Sequence, residues 1–154
     1  MSIPLEIKAA TAADLPALLA LYEHLTAGEP PPKASKAAEI LQRFERFDGS
    51  QIMIGWHGKN AVASCALVVI PNLTRSGTPY ALIENVVTHT AYRTRGFGRA
   101  VLAAAVEAAW AAGCYKVMLL AGSSAPQVMH FYEGAGFTQS KTGFQIRRLP
   151  LRPA

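Results

Sequence analysis

Ile83-Glu84-Asn85-Val86-Val87-Thr88-His89-Thr90-Ala91-Tyr92-Arg93-Thr94-Arg95-Gly96-Phe97-Gly98-Arg99-Ala100 is the stretch that decides the fold. Its first residues close an apolar strand, Tyr80 to Thr88, and its last open a helix from Phe97 to Ala112 that Gly113 ends. Between strand and helix lies a basic turn containing two glycines. A helix start leaves amide donors unpaired and carries the positive end of the dipole, so an anion bound there gains hydrogen bonds and electrostatic attraction together. Gly96 and Gly98 let the backbone come close to such an anion. Val101, Leu102, Ala105, Val106, Ala109 and Trp110 share one helix face, which backs the helix with core packing.

Working outward, Leu5 to Ala9 reads as a strand, and Thr11 with Asp14 resembles a capping box opening a helix to about Leu25. Leu15, Leu18, Leu19 and Tyr22 form the apolar stripe of that helix. The prolines at 30–32 break it and form a loop rather than an interdomain linker, and a second helix is predicted from Ser35 to Phe47. Gln51 to Trp56 and Ala61 to Ile70 are strands joined by a tight turn at His57-Gly58-Lys59-Asn60. Tyr115 to Ala121 is a further strand and Ala125 to Gly134 a short helix. Two short strands follow between Phe137 and Leu149. The alternation of strands and helices after residue 80 predicts an α/β (α+β) architecture with a mixed sheet and helices on both faces, in one domain over residues 1–154.

Composition excludes several classes. A hydrophobic fraction of 51% with 16% charged residues is not that of a disordered chain, and no apolar run is long enough to span a bilayer, so no membrane partner is expected. The start Met-Ser-Ile-Pro-Leu-Glu-Ile-Lys has no signal-peptide pattern, and the expected compartment is the cytoplasm. Cys65 and Cys114 lie in apolar stretches and read as reduced core thiols. The net charge of +5 is compatible with nucleic acid or with a small anion. The densest basic group, Arg93, Arg95 and Arg99, is wrapped around glycines rather than spread along a helix, which favours phosphates on a small molecule over nucleic acid. His24, His57, His89 and His130 are scattered without metal-ligand spacing, so no metal and no histidine role is expected.

The glycine turn matches neither common nucleotide motif. A dinucleotide fingerprint needs Gly or Ala where Val101 stands and an acidic residue where Ala121 and Gly122 stand; a Walker loop needs Gly-Lys-Ser/Thr. Arg93-x-x-Gly96-x-Gly98 instead resembles the Gln/Arg-x-x-Gly-x-Gly/Ala pyrophosphate loop of the GNAT superfamily of N-acetyltransferases. Phe131-Tyr132-Glu133-Gly134-Ala135-Gly136-Phe137 is similar to that family's Phe-Tyr-Glu-x-x-Gly-Phe signature. The resemblance implies a GNAT-type acyl-CoA N-acyltransferase fold with about six to seven strands in the sheet. It implies acetyl-CoA as cosubstrate, a primary amine as acceptor, preferably a small molecule, and a homodimer.

By that resemblance Arg95, Gly96, Phe97, Gly98 and Arg99 hold the coenzyme A pyrophosphate, with Arg93 and Thr94 completing the turn. The backbone of Val86 and Val87 meets the pantetheine arm and polarises the acetyl carbonyl. Where the family often has an Asn before the Phe-Tyr pair, this chain has Ser123, Ser124 and Gln127, and Ser124 is the candidate substitute. Acceptor selection falls to the segments Ala27 to Lys33 and Pro71 to Pro79. Tyr132 is the candidate general acid for the departing thiolate, the other reading being a tyrosine whose hydroxyl caps a backbone group. Glu84 interrupts an apolar strand, where a carboxylate would be biased toward accepting a proton, and it is the candidate base. The alternatives are a glutamate neutralised by a nearby Arg or Tyr and, for the whole protein, a non-catalytic acyl-CoA-binding or sensing module on the same fold.

Overall fold

A computed structural model describes residues 2–149, and the chain divides into two compact units, Met1–Leu119 and Leu120–Ala154. The first unit contains β1 (Leu5–Ala9), α1 (Leu15–Tyr22), α2 (Ala34–Phe44), β2 (Gln51–His57), β3 (Asn60–Ile70), β4 (Tyr80–Thr88), α3 (Phe97–Ala111) and β5 (Val117–Leu119). The second contains α4 (Pro126–Gly134). As far as α4 the order of elements is the one the sequence predicts. Among the described residues no helix is long and apolar enough to cross a membrane.

The sheet order is β1-β2-β3-β4-β5, antiparallel at every step except the parallel pair β4 and β5. It is therefore mixed, but it has five strands rather than six to seven. The difference lies after Phe137, where residues 138–149 form no strand. Phe144 and Ile146 alternate with polar residues as a half-buried strand would, yet they are 92% and 100% exposed. Alternation marks which side chains suit a buried face; the strand itself needs a neighbour to supply its ladder.

Thr11 starts the first helical segment through Asp14, whose Oδ2 accepts from Thr11 N at 2.8 Å and from Thr11 Oγ1 at 3.0 Å. A single 3-10 turn, Ala12–Asp14, then leads into α1. That helix buries Leu18 and Leu21, so Leu21 takes the deep position expected of Leu19. Leu18 packs with Ala10 and Ile54, ringed by Leu15, Tyr22, Ile52, Trp56 and Ala61. Burying each such Leu or Ile contributes about 1.5–3 kcal/mol.

One residue along from Ile54, a Cβ on Gly55 would lie 3.0 Å from Val101 Cγ2 of α3. Successive strand residues point to opposite faces, so α1 and α3 cover opposite sides of the sheet. α3 buries Gly98, Val101, Leu102, Ala105 and Ala109, whereas Trp110, expected on the same face, is 46% exposed. Its end is a left-handed cap at Gly113 (φ +83°), with Gly113 N donating to Trp110 O and Cys114 N to Ala109 O, each at 3.0 Å. Both cysteines are free and buried, and burial pushes the Cys65 thiol up to about 12 and that of Cys114 in the same direction. They are protonated packing residues.

Candidate active site

β4 changes register halfway along. Ile83 pairs with Leu67 and Glu84 with Ala66, but Val87 pairs with Ser64, so β4 carries one extra residue at this point. Asn85 absorbs it at φ +52°, a left-handed conformation that asparagine tolerates better than most residues. Leu67 and Ser64 are three residues apart and face opposite sides, so the bulge also puts Ile83 and Val87 on opposite sides of the sheet. β5 pairs with β4 only at Ala81, Leu82 and Ile83. From Glu84 onward the β4 edge away from β3 has no strand partner among the described residues. Val86 and Val87 therefore lie on an open backbone edge, the setting their expected role requires.

Beyond β4, a 3-10 turn at Thr90–Tyr92 leads to Arg93, whose Nε donates to Thr88 O at 3.4 Å and so ties the turn back to the strand end. Thr94 has φ +62°, and its Oγ1 donates to Arg93 O at 2.6 Å. Gly96 caps α3 at φ +81° with open space where a Cβ would stand, so glycine is needed there for backbone angle rather than for room. Ala100 N donates to Gly96 O at 3.0 Å, so the amides of Phe97, Gly98 and Arg99 precede the first intrahelical donor. Arg93, Arg95 and Arg99 are exposed around them, and the Arg95 guanidinium lies 5.2 Å from the ring centre of Tyr92. The chemistry of these donors fits a diphosphate: amides at a helix start, the positive end of its dipole, and three permanent cations.

Glu84 stands immediately before the bulge and opposite Ala66, but its side chain is exposed. The apolar surroundings inferred for it are absent, because the strand's buried positions are its neighbours Ala81, Ile83 and Val87. Any proton transfer by Glu84 takes place at a carboxylate in contact with water.

In the second unit, Ser123 Oγ accepts from Ala125 N at 3.1 Å ahead of α4, while the Ser124 side chain is exposed. Tyr132 is half-buried, its ring centre 5.0 Å from that of Phe131 and 6.4 Å from that of Phe137. Gly136 has φ +93°; its N–H bonds to Glu133 O at 2.9 Å, and Phe137 N bonds to Tyr132 O at 3.1 Å. These two bonds and the Phe137–Tyr132 ring contact form a glycine C-cap. Gly136 thus ends α4 and Phe137 packs on Tyr132, but Phe137 does not begin the strand expected from it.

The Pro71 to Pro79 loop lies at the start of β4, roughly 25 Å of extended strand from Val87. It lines a cavity of about 490 Å³ with Asp48, Val69 and Ala112. The loop is therefore remote from the anion turn. The α1–α2 segment, in contrast, begins beside that turn, since His24 Nδ1 lies 3.5 Å from Thr90 N. The local spacing of histidines gave no sign of this contact, nor of the 4.0 Å separation between the His24 and His89 rings.

The sequence pattern of the acetyltransferase (GNAT) family matches residues 18–137. A glucosamine 6-phosphate N-acetyltransferase of Trypanosoma brucei brucei is 32% identical over 137 residues, covering 88% of this chain and 90% of its own. Among solved structures, a putative acetyltransferase from Agrobacterium tumefaciens is 45% identical at a TM-score of 0.87, covering 93% of this chain and 99% of its own. A Trypanosoma brucei acetyltransferase is 32% identical at a TM-score of 0.79, covering 96% and 100%. The chain belongs to the acetyltransferase (GNAT) family. It is an N-acetyltransferase.

Proposed function

We propose that the protein transfers the acetyl group of acetyl-CoA to the primary amine of a small molecule, with an amino-sugar phosphate as the first acceptor to test. The observation that carries this reading is the path that runs from the bulge along the open β4 edge to the cationic start of α3. That path suits a ligand with an amide-bearing arm followed by a diphosphate. The acceptor class rests on the similarity of this chain to the glucosamine 6-phosphate N-acetyltransferase of Trypanosoma brucei brucei.

In this reading the amides of Arg95 to Arg99 and the side chains of Arg93, Thr94 and Arg99 hold the pyrophosphate, and Ser124 contributes a hydroxyl. Val86 and Val87 align the arm, and an amide of this pair stabilises the oxygen that gains charge as the carbonyl is attacked. The amine nitrogen forms its bond to the acetyl carbon as the carbon–sulfur bond breaks. The amine proton leaves through water to Glu84, and Tyr132 protonates the departing sulfur. The exposed Glu84 carboxylate supports a water relay in place of direct contact. In this reading residues 1–154 form one domain that works in the cytoplasm and pairs as a homodimer, which sedimentation equilibrium tests.

Purified protein given acetyl-CoA and glucosamine 6-phosphate is expected to release free thiol. Glu84→Gln and Tyr132→Phe are each expected to lower kcat by about a hundredfold, with acetyl-CoA binding retained. Full turnover in both variants would remove these roles. Tight coenzyme binding without turnover on any amine would instead favour the acyl-CoA-sensing alternative.

A further inference from the structure

We infer that His89 is a positioning residue for the coenzyme turn, its Nδ1 holding the Thr90–Tyr92 turn that aims Arg93 to Gly98. The inference rests on the proposal that this turn binds acetyl-CoA. His89 Nδ1 accepts from Ala91 N at 3.1 Å, and the His89 carbonyl accepts from Tyr92 N at 2.9 Å, so one residue fixes both ends of the turn. His24, just past α1, lies against the same turn, with Nδ1 3.5 Å from Thr90 N and 3.3 Å from Thr90 Oγ1. Tyr92 is held from other elements: Asn60 Nδ2 donates to its hydroxyl at 3.2 Å, and the rings of His57 and Phe97 lie 5.8 Å and 6.3 Å away. The turn is thus fastened to β4, to the end of α1 and to the β2–β3 hairpin, and its next residue is Arg93.

The hydrogen-bond pattern assigns the chemistry. An Nδ1 that accepts from an amide carries no proton, so His89 is the neutral tautomer with its proton on Nε2. Protonation would make both nitrogens donors and set an N–H against the Ala91 N–H. The groups that face His89 are His24 from the end of α1, at 4.0 Å between ring centres, and Tyr92 from its own turn, at 5.3 Å. Burial first, and then the His24 imidazole, lowers the His89 pKa from its usual range, in the direction the cap requires. The role assigned to His89 is positioning: it acts through the turn that its Nδ1 and carbonyl hold.

The experiment is calorimetric titration of acetyl-CoA into wild type, His89→Asn and His89→Gln between about pH 5.5 and 8. Asparagine places Oδ1 where Nδ1 stands and does not titrate; glutamine carries its amide one carbon too far. Wild type is expected to bind about fivefold more weakly at the acid end, His89→Gln about fivefold more weakly throughout, and His89→Asn tightly without this acid limb. Kinetically, the loss in His89→Gln should fall on the KM for acetyl-CoA, with kcat little changed. His89→Asn binding as weakly as His89→Gln, or keeping the wild-type acid limb, would overturn the inference. Nitrogen-15 shifts of the wild-type imidazole give a readout that needs no ligand: an unprotonated Nδ1 at neutral pH supports the cap, and a protonated one refutes it. Wild type that shows that cap but binds no acetyl-CoA would sink the proposed function and the inference's link to it, leaving only the cap itself.

Discussion

Thr94 and Gly96 adopt the same backbone hand with opposite side-chain requirements. A β-branched residue at φ +62° is strained by about 1–2 kcal/mol relative to the right-handed region, partly offset here by the Oγ1 bond to Arg93 O. Glycine relieves that strain but loses about 0.5–1 kcal/mol to backbone entropy. Thr94→Gly is therefore expected to raise unfolding stability by up to about 1 kcal/mol in a urea titration. A clear loss would show that the hydroxyl bond dominates. Gly96→Ala meets no atom within 4 Å, so its expected loss of about 1–2 kcal/mol is purely conformational and should be accompanied by weaker acetyl-CoA binding. Gly96 was readable because the residue type itself signals the left-handed backbone it adopts. Thr94 gave no such signal, and the His24–His89 contact joins residues from distant parts of the chain, which only the fold brings together.

At the scale of elements, the site depends on how closely α3 lies on the sheet and on where β4 bulges. Gly55 sets the first: a side chain there would meet Val101 Cγ2 at 3.0 Å and Leu5 Cδ1 at 3.3 Å. Gly55→Val is expected to cost about 1–3 kcal/mol by overpacking, read as a lower midpoint in a urea melt, and to weaken acetyl-CoA binding as α3 shifts. Unchanged stability would mean that α3 accommodates the added bulk. Strand and helix order was legible because the apolar runs of β2 to β4, bounded by turn residues, and the alanine-rich run of α3 are local properties. The bulge was not, since the polar pair Glu84-Asn85 inside an apolar strand reads equally well as a buried functional carboxylate. Once the register shift is known, Asn85 takes the left-handed bulge position and Glu84 is exposed beside it. The missing sixth and seventh strands have the complementary cause: alternation at Phe144 and Ile146 describes side chains and says nothing of a partner for their backbone.

For the molecule as a whole, Cys65 on β3 and Tyr22 on α1 predict where folding fails in alkali. Burial pushes the Cys65 thiol from 9.0 to about 12. Burial, then the nearby Cys65 charge, raises the Tyr22 hydroxyl from 10.0 to about 12 against a lowering hydrogen bond from Ser64. Both pKa values are higher in the folded state than in the unfolded one. Below the unfolded values both states hold these protons, and the stability is fully present; as pH rises past about 9 the unfolded chain sheds them while the folded chain keeps them. Stability is then lost at up to about 1.4 kcal/mol per pH unit for each group, continuing until the folded groups titrate. Urea unfolding at pH 8, 9 and 10 reads the slope as a fall in midpoint. Cys65→Ala is expected to be less stable at pH 8 because of the lost sulfur, yet to show a shallower decline between pH 9 and 10 than wild type. An equal decline in both proteins would mean that the Cys65 thiol is not held protonated by the fold and that the alkaline limit lies elsewhere in the core.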